Sequence, residues 1–240
     1  MTGRTEVLGQ IIIVTGTSGS GKSTACEAFA KRSDEFWLLY WLDDFLSGTY
    51  PAKFGHHGPR SHEGIYAHPV DLADPDGTLR WSFGPHGTKA MATLHEWIAA
   101  ASRQGCNIIV DSLMMIDPPV LQDAVRRLAG LPVLFVALKP PFEILAERVA
   151  NRAMDKKMPT DLLGEKTVRI IIDRLSRLRP WFYDAVYASD CFDLEIDTAL
   201  HDPDEVCAMI ERRLVAGPAT AFDMLYKRFA KDGDDRKGPR

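Results

Sequence analysis

Gly16-Thr17-Ser18-Gly19-Ser20-Gly21-Lys22-Ser23-Thr24 combines glycines, hydroxyls and one lysine at a spacing that suits a polyphosphate. Gly16 and the Gly21-Lys22-Ser23 run fit the phosphate-loop pattern G-x-x-x-x-G-K-[ST]. Glycines let the backbone curl so that successive N–H groups point at a phosphate. A helix starting near Lys22 adds the positive end of its dipole. Lys22 then reaches the β- and γ-phosphates, and the Ser23 hydroxyl is offered to Mg²⁺. Residues 16–24 are therefore expected to bind a nucleoside triphosphate, with Mg²⁺ as its companion ion.

Acids and arginines downstream would extend this from binding to chemistry. Asp43 and Asp44 close an aromatic and apolar run, residues 36–42, that reads as a strand. Ligands of open α/β sheets sit beyond the carboxyl ends of the strands, so this pair lies where a transferable phosphate would be. Asp43 is expected to orient or deprotonate a hydroxyl nucleophile. Asp44 is expected to cap the next helix or to assist with Mg²⁺. A cap accounts for one acid here but not for two. Asp111 ends another buried strand, Asn107-Ile108-Ile109-Val110-Asp111, which matches the Walker B pattern. It is expected to support Mg²⁺ or to orient the nucleophile. Arg148 and Arg152 are four apart and share one helical face. The helix after the fourth core strand commonly enters the lid over the triphosphate, where arginine screens the charge of the migrating phosphoryl group. Arg152 lies nearer the lid tip.

These residues need a scaffold, and the hydrophobic pattern supplies one. Ile11-Ile12-Ile13-Val14, residues 36–42, 107–111, 132–138 and 192–198 read as core strands. Uninterrupted branched apolar residues are the mark of strands buried on both faces. Helical spacing recurs over 88–102, with Gly105 as its stop, and again after Asp117-Pro118-Pro119, an acid cap with prolines in the first turn. Pro140-Pro141 opens the helix carrying Arg148 and Arg152, and a last domain helix covers 203–214. The expectation is an α/β fold, a nucleotide-kinase-like three-layer sandwich with a five-stranded parallel sheet and a helical lid. One domain spans 1–216 with its lid and insertion at about 150–181. Residues 217–240, an apolar piece followed by charges, are expected to be a partly disordered tail.

Two segments are less regular. Between 50 and 85 the chain fills with Pro, Gly, His and aromatic residues, and six of its seven histidines fall between His56 and His95. Within it, Leu79-Arg80-Trp81-Ser82-Phe83 reads as the second strand of a hairpin turning at Pro75-Asp76-Gly77, an excursion suited to walling an acceptor substrate. A zinc site built from His56, His62 and His68 would lack any accompanying cysteine or tight pair. Residues 153–180 are basic, and those facing the cleft would receive an anionic substrate; Val168, Ile171, Ile172, Leu175 and Leu178 form a core stripe.

A net charge of −4 argues against a general nucleic-acid binder. The four cysteines show no C-x-x-C pairing, which suits a reducing compartment. No secretory leader and no membrane-length apolar run is visible, so the expectation is a soluble cytoplasmic protein with no membrane partner.

With these motifs placed, the chain resembles the chloramphenicol phosphotransferase family of small-molecule kinases and, more distantly, shikimate-type and zeta-toxin sugar-nucleotide kinases. The resemblance runs from the phosphate loop to the fifth strand. Its specific parts are Leu42-Asp43, Ser82-Phe83-Gly84-Pro85, Ile108-Ile109-Val110-Asp111, Arg148 with Arg152, and Asp193-Leu194-Glu195-Ile196-Asp197-Thr198. It implies ATP as donor, a small-molecule hydroxyl as acceptor, Asp43 as the base, and antibiotic resistance as a biological role. The chain departs from the pattern in its longer, His-rich region before Trp81 and in an insertion over about 156–181. Both would reshape the acceptor pocket. The alternatives are a kinase of an anionic or nucleotide-linked metabolite, and an ATP-dependent switch docking a protein through the segment after Gly217.

Overall fold

Ile11–Thr15 forms β1, the central strand, with all five residues buried. The computed structural model describes residues 7–154 and 165–235. Alternate side chains of a strand face opposite ways. Ile11 and Ile13 accordingly enter one hydrophobic cluster, Ile12 and Val14 the other. Four more strands complete a parallel sheet in the order β2-β5-β1-β6-β7: β2 (Trp37–Trp41), β5 (Asn107–Ser112), β6 (Val133–Leu138) and β7 (Leu194–Ile196). β3 (Ile65–Pro69) and β4 (Leu79–Phe83) stand apart as an antiparallel hairpin. The fold is α/β with the five-stranded parallel sheet expected from the sequence.

Seven helices frame it among the described residues. α1 (Lys22–Arg32) and α6 (Pro203–Val215) cover one face through Ala25, Cys26, Phe29, Val206, Cys207 and Ile210. On the other face lie α2 (Pro85–Arg103), α3 (Val120–Arg127), α5 (Glu165–Tyr187) and α7 (Ala221–Asp235). Leu94, Leu121, Val186 and Leu225 pack there. α4 (Phe142–Met154) ends at the expected lid insertion. Residues 155–164 of the expected lid insertion lie outside the described residues.

Strand register assembles the functional end. Val14 is level with Asp111 across β1–β5, and Trp41 is level with Asp111 across β2–β5. The phosphate loop, Asp111 and the residues just after Trp41 therefore emerge side by side at the carboxyl edge. The order reverses at β1, which is where open α/β sheets form their binding crevice.

Several local expectations are corrected. The acid cap at Asp117 is absent: α3 starts at Val120 behind Pro119, and Asp117 instead pairs with Arg80 at 2.6 Å. Asp44 caps nothing, since Leu42–Asp44 is already helical and runs into the wider turn Phe45–Thr49 without a side-chain cap. The fifth strand is only Leu194–Ile196, because Asp193 before it is drawn into another task. The packed unit does not stop at 216. Residues 221–235 form α7, with Ala221, Phe222 and Leu225 buried against the sheet. Residues 236–240 lie outside the described residues.

Asp193 fastens that last helix. Its carboxylate, 1% exposed, accepts from Thr220 N (2.7 Å), Ala221 N (3.0 Å), Phe135 N (3.0 Å) and Arg213 Nη2 (3.4 Å). One side chain thus satisfies the start of α7 and ties it to β6. Asp193→Ala strands those donors away from water, at a cost of about 3 kcal/mol. The expected result is a melting temperature lower by roughly 10 °C in a thermal scan. An unchanged melting temperature would show that α7 is held by its apolar face alone.

Candidate functional site

The loop between β1 and α1 has the conformation its glycines were expected to allow. Gly21 is left-handed at φ 92°, where a Cβ is strained. Gly16 needs its missing side chain for another reason: a Cβ there would come within 2.6 Å of the Leu138 carbonyl. No side chain caps α1 and no acid lies in its first turn. Its leading N–H groups and dipole therefore face an anion without competition.

Lys22, Ser23 and Asp111 converge. Ser23 Oγ donates to Asp111 Oδ2 at 2.7 Å, and Lys22 Nζ lies 3.7 Å from Asp111 Oδ1. Lys22 Nζ also donates to the Thr17 carbonyl at 3.2 Å, which folds it back over the loop. A hydroxyl and a carboxylate side by side are hard oxygen donors, the type Mg²⁺ prefers. Ser23 and Asp111 thus fit the ion that a triphosphate brings.

Two cavities flank the loop, sharing Gly19 and Gly21. The first, about 270 Å³, is lined by Thr24, Ala25, Arg148, Thr198, His201, Pro203 and Val206. The second, about 290 Å³, holds Lys22, Ser23, Asp111 and Asp43 against Leu42, Trp81, Leu113, Val149, Leu175 and Phe182. Asp43 is therefore placed with the phosphate-facing groups, while Asp44 is not among the residues lining this cavity.

Arg148 has a different placement from the one expected. Its guanidinium donates to Thr198 Oγ1 (2.9 Å), the Thr198 carbonyl (2.6 Å) and the Gly19 carbonyl (3.3 Å). It braces the back of the loop and walls the first cavity. Arg152 follows one turn later in α4, and its side chain lies outside the described residues. Of the loop residues, Thr24 lines the first cavity and Ser18 the second, whereas Gly16 and Ser20 are buried and shape the turn.

Two braces were not anticipated. Thr198 Oγ1 donates to the Ser20 carbonyl at 2.9 Å, linking the exit of β7 to the loop. Tyr187, at the end of α5, accepts from Thr17 N at 3.4 Å and donates to the Leu138 carbonyl at 2.5 Å. Burial holds the Tyr187 phenol well above its ordinary pKa, which keeps it protonated as a donor. A hydroxyl just past the last core strand was a readable hint for Thr198, since strand ends converge on the ligand. Nothing local marks Tyr187.

The irregular segment serves the second cavity. Trp81 of β4 packs edge-on against Phe182 of α5 at 4.8 Å, with His56 on its other side at 4.5 Å. Burial, then the Arg174 charge, lowers the His56 pKa to about 3, so His56 is a neutral wall. The other two histidines weighed for zinc go elsewhere. His68 bonds Ser82 Oγ at 2.9 Å, and His62 Nε2 lies 3.8 Å from Glu63. The basic face of α5 clamps this wall: Arg174 donates to the His56 carbonyl (3.3 Å) and Arg177 to Gly77 O (2.9 Å) in the hairpin turn.

Comparison with known proteins follows the same lines. The family described as chloramphenicol phosphotransferase-like protein matches residues 9–215. No curated protein matches the chain. Among solved structures, the Mycobacterium tuberculosis APS kinase CysC in complex with AMPPNP and APS is similar at 13% identity, with 86% of this chain and 98% of that one covered and a TM-score of 0.52. A sugar kinase from Janibacter sp. HTCC2649 aligns at 19% identity over 89% of this chain and 98% of that one, with a TM-score of 0.47. At such identities the first likeness speaks for the P-loop kinase fold and the second adds no argument. No helix among the described residues is long and apolar enough to cross a membrane.

Proposed function

The chain belongs to the chloramphenicol phosphotransferase-like family, and from that premise we propose that it transfers the γ-phosphoryl group of ATP to a hydroxyl of a small molecule. The observation behind this reading is the second cavity, whose lining includes the carboxylate of Asp43 together with Lys22, Ser23 and Asp111. The first cavity, on the α1–α6 side of the loop, takes the nucleoside end of ATP. The loop amides and Lys22 hold its phosphates. Ser23 and Asp111 hold Mg²⁺, which when bound neutralises phosphate charge. Asp43 accepts the proton of the acceptor hydroxyl as its oxygen bonds to the γ-phosphorus. The bond from that phosphorus to the β–γ bridging oxygen breaks, and ADP leaves. Positioning and charge stabilisation supply most of the acceleration.

Apolar and aromatic walls favour one acceptor class. Lys22 is the only lysine or arginine lining the second cavity among the described residues, and the phosphates of ATP claim it. An uncharged acceptor with a hydrophobic body and a reactive hydroxyl fits Leu42, Trp81, Leu113 and Phe182 better than an anionic metabolite does. Hydroxylated antibiotics, chloramphenicol included, are of this kind, which is the basis for proposing a resistance role. The switch alternative has less surface to work with, because Phe222 and Leu225 of the segment after Gly217 are buried in the protein's own core, although Tyr226 stays exposed.

Screening neutral hydroxylated antibiotics, sugars and nucleotide sugars for stimulated ADP release tests the proposal. Stimulation by a neutral aromatic alcohol, with a phosphorylated product by mass spectrometry, is the expected outcome. Stimulation confined to anionic compounds would refute the acceptor class, and none across the panel would argue against the kinase.

A further inference from the structure

Residues 174–182 of α5 carry three arginines with different fates. Arg174 and Arg177 spend their guanidinium groups on the His-rich segment and the hairpin turn. Arg179 has no hydrogen-bond or ion-pair partner among the described residues. Spacings of four and three residues put Leu175, Arg179 and Phe182 on one face of the helix. That face borders the phosphate loop: Thr17, Ser18, Val149, Leu175, Arg179 and Phe182 line one small recess. Ser18, Val149, Leu175 and Phe182 line the second cavity as well, so the recess opens beside the acceptor and not beside the nucleoside.

In this recess Thr17 is 1% exposed and already served, its N–H donating to the Tyr187 phenol at 3.4 Å, which leaves Arg179 as the polar group without a partner among the described residues. Arg179 is itself partly desolvated, and that burial lowers its pKa with no acid beside it to compensate. A planar guanidinium has five donors in a fork that matches phosphate oxygens. Arg148, expected for this duty, is occupied behind the loop by Thr198 and Gly19.

We propose that Arg179 of α5 binds the terminal phosphate of the donor, reaching it across the Thr17–Ser18 shoulder of the loop. This rests on the phosphotransferase reading above. Arg179 contacts the group that moves, while Arg148 positions the loop that holds the group left behind. The charge built up on the γ-phosphoryl oxygens is met from the helix that follows the lid.

Calorimetric titration of the full chain with AMPPNP and with ADP, Mg²⁺ present, separates these roles. In Arg179→Met, ADP should bind within about twofold of wild type, while AMPPNP should bind roughly 10- to 100-fold more weakly. Arg179→Lys should recover part of that loss, since it keeps the charge but not the fork. It also provides the measurement if the methionine variant fails to fold. An AMPPNP-to-ADP affinity ratio equal to wild type in Arg179→Met, or in Arg179→Lys where the methionine variant fails to fold, overturns the assignment while leaving the kinase reading intact. A wild-type chain that binds neither nucleotide overturns both.

Discussion

Asp43→Asn is expected to bind AMPPNP as well as wild type does and to lose acceptor-stimulated ADP release by about 10²–10⁴-fold. Asparagine is nearly isosteric and keeps the short helical turn at 42–44, but it takes no proton. The loss should fall on kcat, with the KM for ATP little changed, because Asp43 lines the second cavity, where the acceptor is proposed to bind. Asp44→Asn is the paired control. Asp44 lies outside the cavity lining and its charge is felt by Tyr40, whose pKa is raised by burial and then by Asp44. Its replacement should leave turnover within about twofold of wild type. Full turnover in Asp43→Asn would falsify the base assignment and leave Asp43 as at most an orienting group.

Lys22→Met should remove both binding and turnover while leaving the fold standing. Its side chain is 11% exposed, with the ammonium between the Thr17 carbonyl and Asp111. Methionine fills the same channel, and Asp111 keeps the Ser23 hydroxyl as a partner. Removing one preorganised donor to a developing phosphate charge costs about 10²–10³-fold in kcat. Thermal scans give a second readout. Ligand at 100 times its Kd stabilises a protein by about 2.7 kcal/mol, so ATP should raise the wild-type melting temperature by several degrees. That shift should vanish in the variant, whose ligand-free melting temperature stays near wild type. A preserved ATP shift would mean that the loop amides alone carry the affinity.

How far these residues were legible depended on the range of the physics involved. The phosphate loop is local, with glycine torsions and a lysine at the first position of the helix that follows, so a contiguous pattern predicts it. Asp111 was readable for a similar reason: a buried strand ending in an acid has one place to go once β1 is known. Asp43 and Asp44 were given different duties from the sequence, but that only Asp43 lines the second cavity depends on the turn after β2. Arg148 shows what a local pattern leaves open. A helical pair of arginines predicts a shared face, but not that Thr198, fifty residues on, would capture one of them.

The C-terminal segment was misjudged for a related reason. Gly217-Pro218 and the charges after Lys231 resemble the end of a domain, and the apolar residues between them are too few to announce a core helix. Their stability comes from Asp193 and from the sheet, through contacts that no local window contains.

The amino-acid pattern was sufficient for the parallel sheet, the triphosphate loop and the acids at the strand ends, because each depends on short-range torsional and burial preferences. That Arg148 bonds Thr198 and Gly19, that Asp43 and not Asp44 lines the second cavity, and that Trp81 and Phe182 wall it were decided by packing. Those outcomes depend on where α5 and the β3–β4 hairpin dock against the loop. That docking joins Trp81 to Phe182 across about a hundred residues, and it is a property of the assembled core, to which every helix on that face contributes.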